Sequence, residues 1–326
     1  MNAAIIGCGL IGRKRSRTLL SRSLRLAVCC DVVLDRAQAL AAEFPGAEAT
    51  PDWRAAATHA EVDLVIVASI HKDLAAIAGV AAAAGKHVLV EKPGACRARD
   101  LDAVAQASSR TGVKVRLGFN HRYHPSIQKA REIFDSGEIG PLMMIRARYG
   151  HGGRLGMEEE WRADRYASGG GEAIDQGLHL VDLARWFAGD FSEVTGMIGT
   201  LFWDMRVEDN AFFLLRTPAG QIASLHSSWT EWKNLFSFEI YGRSGKLDIQ
   251  GLGGSYGTER LTFHKMLPRM GPPESQSWDF PEEDLSWGVE LDAFLDDIRR
   301  DRSPNPGIAD AQAALRIVET LYGQSA

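Results

Sequence analysis

The sequence predicts an α/β protein in which a doubly wound parallel sheet is followed by a second α/β domain with a mostly antiparallel sheet. Three observations predict this class. Over the first third, short apolar runs alternate with alanine-rich helical stretches, as a parallel sheet covered by helices requires. After about residue 119 the runs become rich in β-branched and aromatic residues and are separated by Gly and Pro turns, which is typical of hairpins. The length of 326 residues accommodates two domains of roughly 150 residues each.

The first predicted domain, residues 1–119, repeats a strand-helix-strand unit. Because parallel strands joined by helices cross over in a right-handed sense, this repetition predicts a doubly wound sheet. Strands are expected at residues 3–6, 24–30, 64–68, 88–90 and 114–118, and helices at residues 11–20, 36–44, 74–84 and 101–110.

The second predicted domain, residues 120–326, begins with one helix and continues with hairpin-connected strands. Residues 251–286 lack periodicity, so they are expected to form a loop with one short strand near Leu261. The last helix is expected to pack back on the first domain. The helices are predicted at residues 125–135, 290–300 and 310–321, and the strands at residues 142–149, 193–203, 211–216, 222–229, 236–241 and 246–249.

Composition and charge exclude several classes of protein. Hydrophobic residues make up 45% and charged residues 24%, which is the balance of a folded globular chain. The net charge of −5 argues against a nucleic-acid partner, which calls for a basic excess. No apolar run approaches the roughly 20 residues of a membrane helix, and Met1 leads directly into a strand pattern, so we expect a cytoplasmic protein with no membrane partner. The four cysteines are too few and too irregularly spaced for a disulfide framework.

A glycine-rich turn follows the first predicted strand and predicts a dinucleotide-binding Rossmann domain. The motif G-x-G-x-x-G spans Gly7 to Gly12, with Gly7, Gly9, Leu10, Ile11 and Gly12 as candidate cofactor contacts. Such glycines permit a tight turn, close approach of a pyrophosphate and close helix–strand packing.

Asp31 ends the second predicted strand, where a carboxylate can bind a ribose 2′-hydroxyl. Val32 and Val33 follow it without a cation for a 2′-phosphate, which favours NAD over NADP. The cations at residues 13–15 leave charge neutralisation of a phosphate open as an alternative.

Two later segments carry groups suited to proton transfer. Lys92 lies at the carboxyl end of a predicted strand, the edge at which open α/β sheets bind ligands. Asp175 and His179 are four residues apart, which places them on one face of a predicted helix. Histidine has the unperturbed pKa best suited to accepting a proton near neutral pH. A surface lysine and a satisfied structural histidine are the alternatives at these positions.

These motifs together resemble the Gfo/Idh/MocA family of oxidoreductases, in the family's order along nearly the whole chain. They are Gly7–Gly12, Glu91-Lys92-Pro93, Gly118-Phe119-Asn120, Ser136–Gly140, Gly169–Gly171 and Asp175-x-x-x-His179. The resemblance implies a large open C-terminal sheet that forms a homodimer or homotetramer contact, and Lys92, Asp175 and His179 as the catalytic set. It also implies cofactor contacts from Ser69, His71, Glu91, Lys92 and Asn120. Arg15 and Ser69-Ile70-His71 depart from the family's usual His and Thr-Pro-Asn.

The function implied is reversible hydride transfer between nicotinamide and a secondary alcohol of a sugar or sugar derivative, which extends to nucleotide-linked sugars. His179 is the first choice for the base, Lys92 stabilises the oxyanion or relays the proton, and Asp175 orients them; the roles of Lys92 and His179 are exchangeable. The candidate substrate contacts are Lys92, Asn120, Arg122, Tyr123, Arg148, Trp161, Asp175 and His179.

Three alternatives remain beside this function. One is an inositol or polyol dehydrogenase, and a second is a noncatalytic NAD-binding regulator. The third is a metal enzyme, because His121, His124, Asp175 and His179 are potential zinc ligands. The two pairs lie far apart in the sequence, so no metal site is expected.

Overall fold

The computed structural model describes residues 1–22 and 24–324 and divides them into two compact units. The first unit contains residues 1–119, 167–169 and 287–312, and the second contains residues 120–166, 170–286 and the described residues from 313 onward. The predicted second domain, 120–326, was continuous, whereas residues 167–169 and 287–312 group with the first unit. No helix in the described part of the chain has both the length and the apolar character needed to cross a membrane.

The first unit contains a six-stranded parallel sheet in the order β3-β2-β1-β4-β5-β6. This is the order of a doubly wound dinucleotide-binding sheet, whose direction of winding reverses between β1 and β4. The strands are β1 (Asn2–Ile6), β2 (Arg25–Cys30), β3 (Glu48–Thr50), β4 (Leu64–Val67), β5 (His87–Glu91) and β6 (Val115–Gly118). The helices are α1 (Leu10–Leu20), α2 (Leu34–Ala41), α3 (Trp53–Ala57), α4 (His71–Ala83) and α5 (Asp102–Thr111).

A late helix, α10 (Ser286–Arg299), contributes to the core of this unit. Its residues Leu291 and Phe294 are fully buried in the same apolar cluster as Ile5 of β1 and Leu19 of α1. The final helix, α11 (Ile308–Gln324), begins in the first unit and continues in the second.

The second unit contains an eight-stranded sheet in the order β14-β13-β12-β11-β7-β10-β9-β8. Every neighbouring pair is antiparallel except β7 and β10, which run parallel. The strands are β7 (Leu142–Gly150), β8 (Glu193–Gly199), β9 (Asn210–Arg216), β10 (Ile222–Ser228), β11 (Leu235–Gly242), β12 (Gly245–Gln250), β13 (Glu259–Lys265) and β14 (Glu274–Phe280). The helices α6 (Pro125–Ser136), α7 (Arg165–Ser168), α8 (Glu172–Asp175) and α9 (Gly177–Ala188) complete the element order, and α6 and α9 pack on the sheet.

The two faces of this sheet differ in burial. Along β7, Ile145, Ala147 and Tyr149 are buried toward the helices, whereas Arg146 and Arg148 alternate with them and are exposed on the open face. Successive side chains of a strand point to opposite faces, so Arg148 and Tyr149 lie on opposite sides of the sheet.

Two local predictions were wrong. Residues 251–286 contain the complete strand β14 beside β13. The side chains of β14 are mostly exposed, and polar cross-strand pairs such as Thr262 with Ser277 replace the apolar alternation on which the prediction relied. The single helix expected through Asp175 and His179 is interrupted between α8 and α9. At the interruption the amide of His179 donates a hydrogen bond to the carbonyl of Gln176, only three residues back. Strand β10 approaches closely here: a Cβ on Gly177 would lie 2.8 Å from the Ser227 hydroxyl.

Candidate active site

The glycine turn between β1 and α1 uses its three glycines for different reasons. Gly7 has a positive φ of 97°, and a Cβ on it would lie 2.4 Å from the carbonyl oxygen of Ala68. A Cβ on Gly12 would lie 1.9 Å from the carbonyl oxygen of Gly7. Gly9 has an ordinary φ of −73°, and nothing surrounds its Cβ position within 4 Å. Gly7 and Gly12 therefore shape the turn. Gly9 leaves open space beside the N-terminus of α1, where a pyrophosphate fits.

Asp31 supports this turn from the end of β2. Its carboxylate accepts hydrogen bonds from the backbone amides of Cys8 at 2.8 Å and Val33 at 2.9 Å. Val32 is 84% exposed, so the position after the carboxylate is apolar and open. The neighbouring cations have other partners, since Arg13 pairs with Glu43 at 2.6 Å and the amine of Lys14 lies 5.4 Å from the ring of Trp287. Leu10 is exposed and Ile11 half-buried at the start of α1.

Arg15 forms a buried ion cluster with two carboxylates. Its guanidinium contacts Glu91 at 2.6 Å and Glu290 at 2.6 Å, and the Trp287 ring lies 4.4 Å from its central carbon. The side chains of Arg15 and Glu290 are 1% and 0% exposed. Burial and the nearby charge of Glu91 raise the pKa of Glu290 to about 7 against the attraction of Arg15, because one guanidinium serves two carboxylates. Arg15 therefore belongs to the interior and is not a phosphate contact.

Lys92 directly follows Glu91 at the carboxyl end of β5. It is half-buried, and its peptide bond to Pro93 is cis. Ser69 lies half-buried after β4, the neighbouring strand. His71, which starts α4, is buried, and its Nδ1 lies 2.8 Å from the carbonyl oxygen of Ser168. Lys92 and Ser69 thus follow adjacent strands at one edge of the sheet, whereas the His71 ring contacts backbone.

In the second unit, Glu208 organises the start of the segment that carries Asp175 and His179. Its buried carboxylate accepts hydrogen bonds from the amides of Gly171 and Ala173, both at 3.0 Å, and from the Tyr322 hydroxyl at 2.8 Å. Burial nevertheless raises the pKa of Glu208. Glu208 has no signal in the sequence, because its partners lie far from it along the chain.

Asp175 ends α8 and is close to an arginine. The Nε of Arg162 lies 3.2 Å from its carboxylate. Burial lowers the pKa of His151. The positive charges of Arg154 and Arg162 lower this pKa further, and the negative charge of Asp175 raises it. These side chains therefore share one electrostatic environment. Trp161 is half-buried, and the Arg162 guanidinium lies 4.5 Å from its ring.

His179 is 5% exposed and is surrounded by aromatic rings. The His121 ring stacks on it at a centroid distance of 3.7 Å and an angle of 13°, and the Tyr149 ring lies 6.3 Å away. Burial raises the pKa of Tyr149 well above its ordinary value, and its hydrogen bond to Tyr256 adds to this shift. Gln176 donates a hydrogen bond to the Tyr256 hydroxyl at 3.0 Å.

The remaining predicted substrate contacts have diverse surroundings. Arg122 is buried and binds Asp182 with two nitrogens, at 2.8 and 2.6 Å. The Asn120 amide donates to the Ser286 hydroxyl at 2.9 Å, and Tyr123 is half-buried in the same short helical turn. Arg148 lies on the open face of the sheet, opposite Tyr149 and His179.

The four residues considered as zinc ligands, His121, His124, Asp175 and His179, are arranged differently from a metal site. His121 contacts His179 face to face, so their nitrogens lie in parallel planes and do not converge on one point. His124 Nδ1 lies 2.6 Å from the Glu259 carboxylate. Within residues 1–22 and 24–324, no group of three or more His, Cys, Asp or Glu side chains is arranged to hold a metal ion.

Comparison with known proteins establishes the class of this protein. Residues 1–119 match the sequence profile described as oxidoreductase family, NAD-binding Rossmann fold, and residues 127–248 match that of the GFO/IDH/MocA C-terminal domain. The chain belongs to the Gfo/Idh/MocA family of oxidoreductases. The predicted family, fold class, cofactor NAD and oxidoreductase activity are therefore confirmed.

Individual relatives are similar over different shares of the chain. Levoglucosan dehydrogenase of Pseudarthrobacter phenanthrenivorans is 22% identical over 375 aligned positions, which cover 100% of this chain and 96% of that protein. Inositol 2-dehydrogenase 2 of Saccharopolyspora erythraea is 34% identical over 192 positions, which cover 58% of this chain and 54% of that protein. The solved structure of levoglucosan dehydrogenase in complex with NADH has a TM-score of 0.89 and 23% identity, and covers 100% of this chain and 98% of that chain.

Substitutions at Gly12 and Gly9 test separately the conformation of the turn and the open space beside it. Gly12→Ala should lower stability, because its Cβ overlaps a backbone carbonyl. Gly9→Ala should leave the melting temperature within about 2 °C of wild type, because the backbone is ordinary and the space open, yet weaken NADH binding at least roughly tenfold by filling the pyrophosphate space. Calorimetry and NADH fluorescence titration measure the two effects. Unchanged NADH affinity in Gly9→Ala would contradict the assignment of this space to the cofactor.

The raised pKa of Glu290 predicts a pH-dependent stability. A carboxyl whose pKa rises from 4.5 when unfolded to about 7 when folded contributes its stability fully below pH 4.5 and loses it as the pH rises through about 7. The loss should amount to roughly 3 kcal/mol. Urea unfolding between pH 5 and 8 should show a smaller decline for Glu290→Gln than for wild type. The control Asp292→Asn removes a carboxylate of the same helix that pairs with Arg22 at the surface, and it should keep the wild-type slope. Equal slopes for wild type and Glu290→Gln would refute the assignment.

Proposed function

We propose that this oxidoreductase transfers a hydride between NAD and a secondary alcohol of a sugar or sugar derivative. The observation that carries the proposal is the complete set Lys92, Asp175 and His179 on a chain with an NAD-binding Rossmann domain. A noncatalytic regulator on the same fold has no need for all three groups. Both relatives described above are named for dehydrogenases of polyhydroxylated ring compounds.

The residues of the first unit fit NAD. Gly9 leaves room for the pyrophosphate at the N-terminus of α1, with Gly7, Leu10, Ile11 and Gly12 forming the turn. Asp31 keeps carboxylate lone pairs for the ribose hydroxyls, and exposed Val32 offers no charge to a 2′-phosphate. Ser69, after β4, completes the set. NAD when bound supplies the hydride acceptor.

In the direction of oxidation, His179 accepts the hydroxyl proton as the carbinol carbon loses hydride, and the alcohol becomes a ketone. Lys92 stabilises the developing oxyanion with its ammonium group. Asp175, beside Arg162, orients the substrate hydroxyl. The near-complete burial of His179 limits the access of bulk water to its ring.

Five of the candidate contacts take other roles in this proposal. Glu91 supports the Lys92 turn through Arg15, and His71, Asn120 and Arg122 hold neighbouring segments through the bonds described above. Arg148 lies on the sheet face opposite His179 and is not a substrate contact. Tyr123 and Trp161 remain as substrate contacts from the second unit.

Substrate oxidation with NAD tests the function. A panel of levoglucosan, methyl glucosides, myo-inositol and nucleotide sugars, with NAD and then NADP, should give turnover with a sugar and NAD, read by nicotinamide absorbance. Lys92→Ala and His179→Ala should each lower kcat by roughly 100-fold or more, because each removes a group from the transition state. The controls Lys265→Ala and His264→Ala, at the end of strand β13, should retain wild-type kcat. Preference for myo-inositol would favour the inositol alternative, and full activity of both site variants would refute the assignment.

We also propose that the open face of the C-terminal sheet forms a homo-oligomer contact, as a homodimer or homotetramer. Met197 and Phe212 are cross-strand neighbours on this face and are 75% and 44% exposed, and Leu214 is 52% exposed. Adjacent exposed apolar side chains on a sheet are typical of an interaction surface.

Charges placed on this surface should dissociate the oligomer. The double substitution Phe212→Asp with Leu214→Asp should shift the protein toward monomer in sedimentation experiments, because an apolar contact does not tolerate buried unpaired carboxylates. Met270→Asp, at a fully exposed hairpin position, should leave the oligomer intact. A wild-type protein that sediments as a monomer would eliminate the proposed contact.

A further inference from the structure

We infer that His121 is a positioning residue for His179, which it holds by ring stacking. The two imidazoles are 3.7 Å apart at their centroids and nearly parallel, and both residues are almost completely buried. At this separation the ring faces are in van der Waals contact. His121 comes from the turn that precedes α6, whereas His179 is on α9, so the stack joins two separate segments of the second unit.

A chain of hydrogen bonds that starts at Asp284 fixes the orientation of the His121 ring. The Ser286 hydroxyl donates to the Asp284 carboxylate at 2.5 Å, which leaves the hydroxyl oxygen to accept from the Asn120 amide at 2.9 Å. The amide nitrogen of Asn120 thus faces Ser286, and its oxygen faces Nδ1 of His121 at 3.3 Å. A carbonyl oxygen only accepts, so Nδ1 of His121 carries a proton. The orientation and tautomer of His121 therefore follow from groups outside the stack.

Three aromatic neighbours also lie close to the His121 ring. Tyr149 and Phe236 lie 5.2 and 6.1 Å from the His121 ring, and the His124 ring meets it edge-on at 5.5 Å. His124 is in turn held by Glu259 at 2.6 Å. With its sides occupied in this way, His121 presents a fixed surface to the face of His179.

The consequence for His179 is restricted rotation of its ring. Proton transfer needs the accepting nitrogen aligned with the substrate hydroxyl, and displacement of about 1 Å costs up to roughly 100-fold in rate. A stacked neighbour fixes the plane in which the two nitrogens of His179 lie. This inference rests on the proposed role of His179 as the base, and it assigns His121 no contact with the substrate.

Substitutions at His121 separate positioning from mere structural support. Using the best sugar of the substrate panel, His121→Ala should lower kcat by roughly 10- to 100-fold, with KM for NAD within about twofold of wild type, because the loss concerns only alignment. His121→Phe should recover kcat to within roughly threefold, because a flat ring still stacks. Ser286→Ala, which releases Asn120, should lower kcat only a few-fold. The control His264→Ala should match wild type, and melting temperatures and NADH titration should show that every variant is folded.

The outcomes distinguish this inference from the proposed function. If His179→Ala is inactive while folded His121→Ala keeps wild-type kcat, the positioning role is refuted and the base assignment stands. If folded His121→Phe loses as much activity as His121→Ala, ring stacking is not the cause and the inference fails. If His179→Ala itself keeps full activity, the proposed base is wrong, whatever the result at His121.

Discussion

The guanidinium of Arg15 connects three segments on which the first unit depends. It extends from the helix that follows the glycine turn and pairs with Glu91, immediately before Lys92, and with Glu290 of α10. Loss of this arginine would leave two buried carboxylates without their shared guanidinium partner, which is strongly destabilising. The three segments are therefore coupled, so that the end of β5 and the start of α1 keep one arrangement. This coupling explains why residues 287–312 group with the first unit although they follow the second along the chain.

In the second unit, buried polar groups hold the segments that carry Asp175 and His179. His179 lies in the first turn of α9, and Asp175 ends the separate short helix α8. Glu208 secures the start of α8 through backbone amides, and His121 covers the ring of the histidine. Both supports are buried polar groups with specific hydrogen-bond partners, and such groups specify one arrangement where apolar packing alone tolerates several. The geometry of the proposed base thus depends on residues that do not themselves react.

Features with a local cause were predictable from the sequence. The glycine turn and the strand end at Asp31 were predictable because turn conformation and strand ends depend on neighbouring residues. The set of Lys92, Asp175 and His179 is a proposal that the family resemblance supplied. Strand β14 was missed because its side chains are exposed and carry no apolar period. Arg148 was proposed as a substrate contact from its position in the chain alone. The alternation of side chains along β7 places it on the open face of the sheet, opposite Tyr149 and His179.

The sequence by itself determined the two-sheet α/β architecture, the NAD-binding turn and the identity of the candidate catalytic groups. The architecture and the turn follow from periodicity and glycine placement, which operate over short stretches of chain, and the candidate catalytic groups follow from the resemblance to the family. Only the tertiary structure decided that Arg15 faces two carboxylates in the interior and not a phosphate, and that His121 stacks on His179. The physical reason is that burial and pairing depend on which distant segments the fold brings into contact, and a cation or an imidazole has the same appearance in a sequence whatever it meets in space.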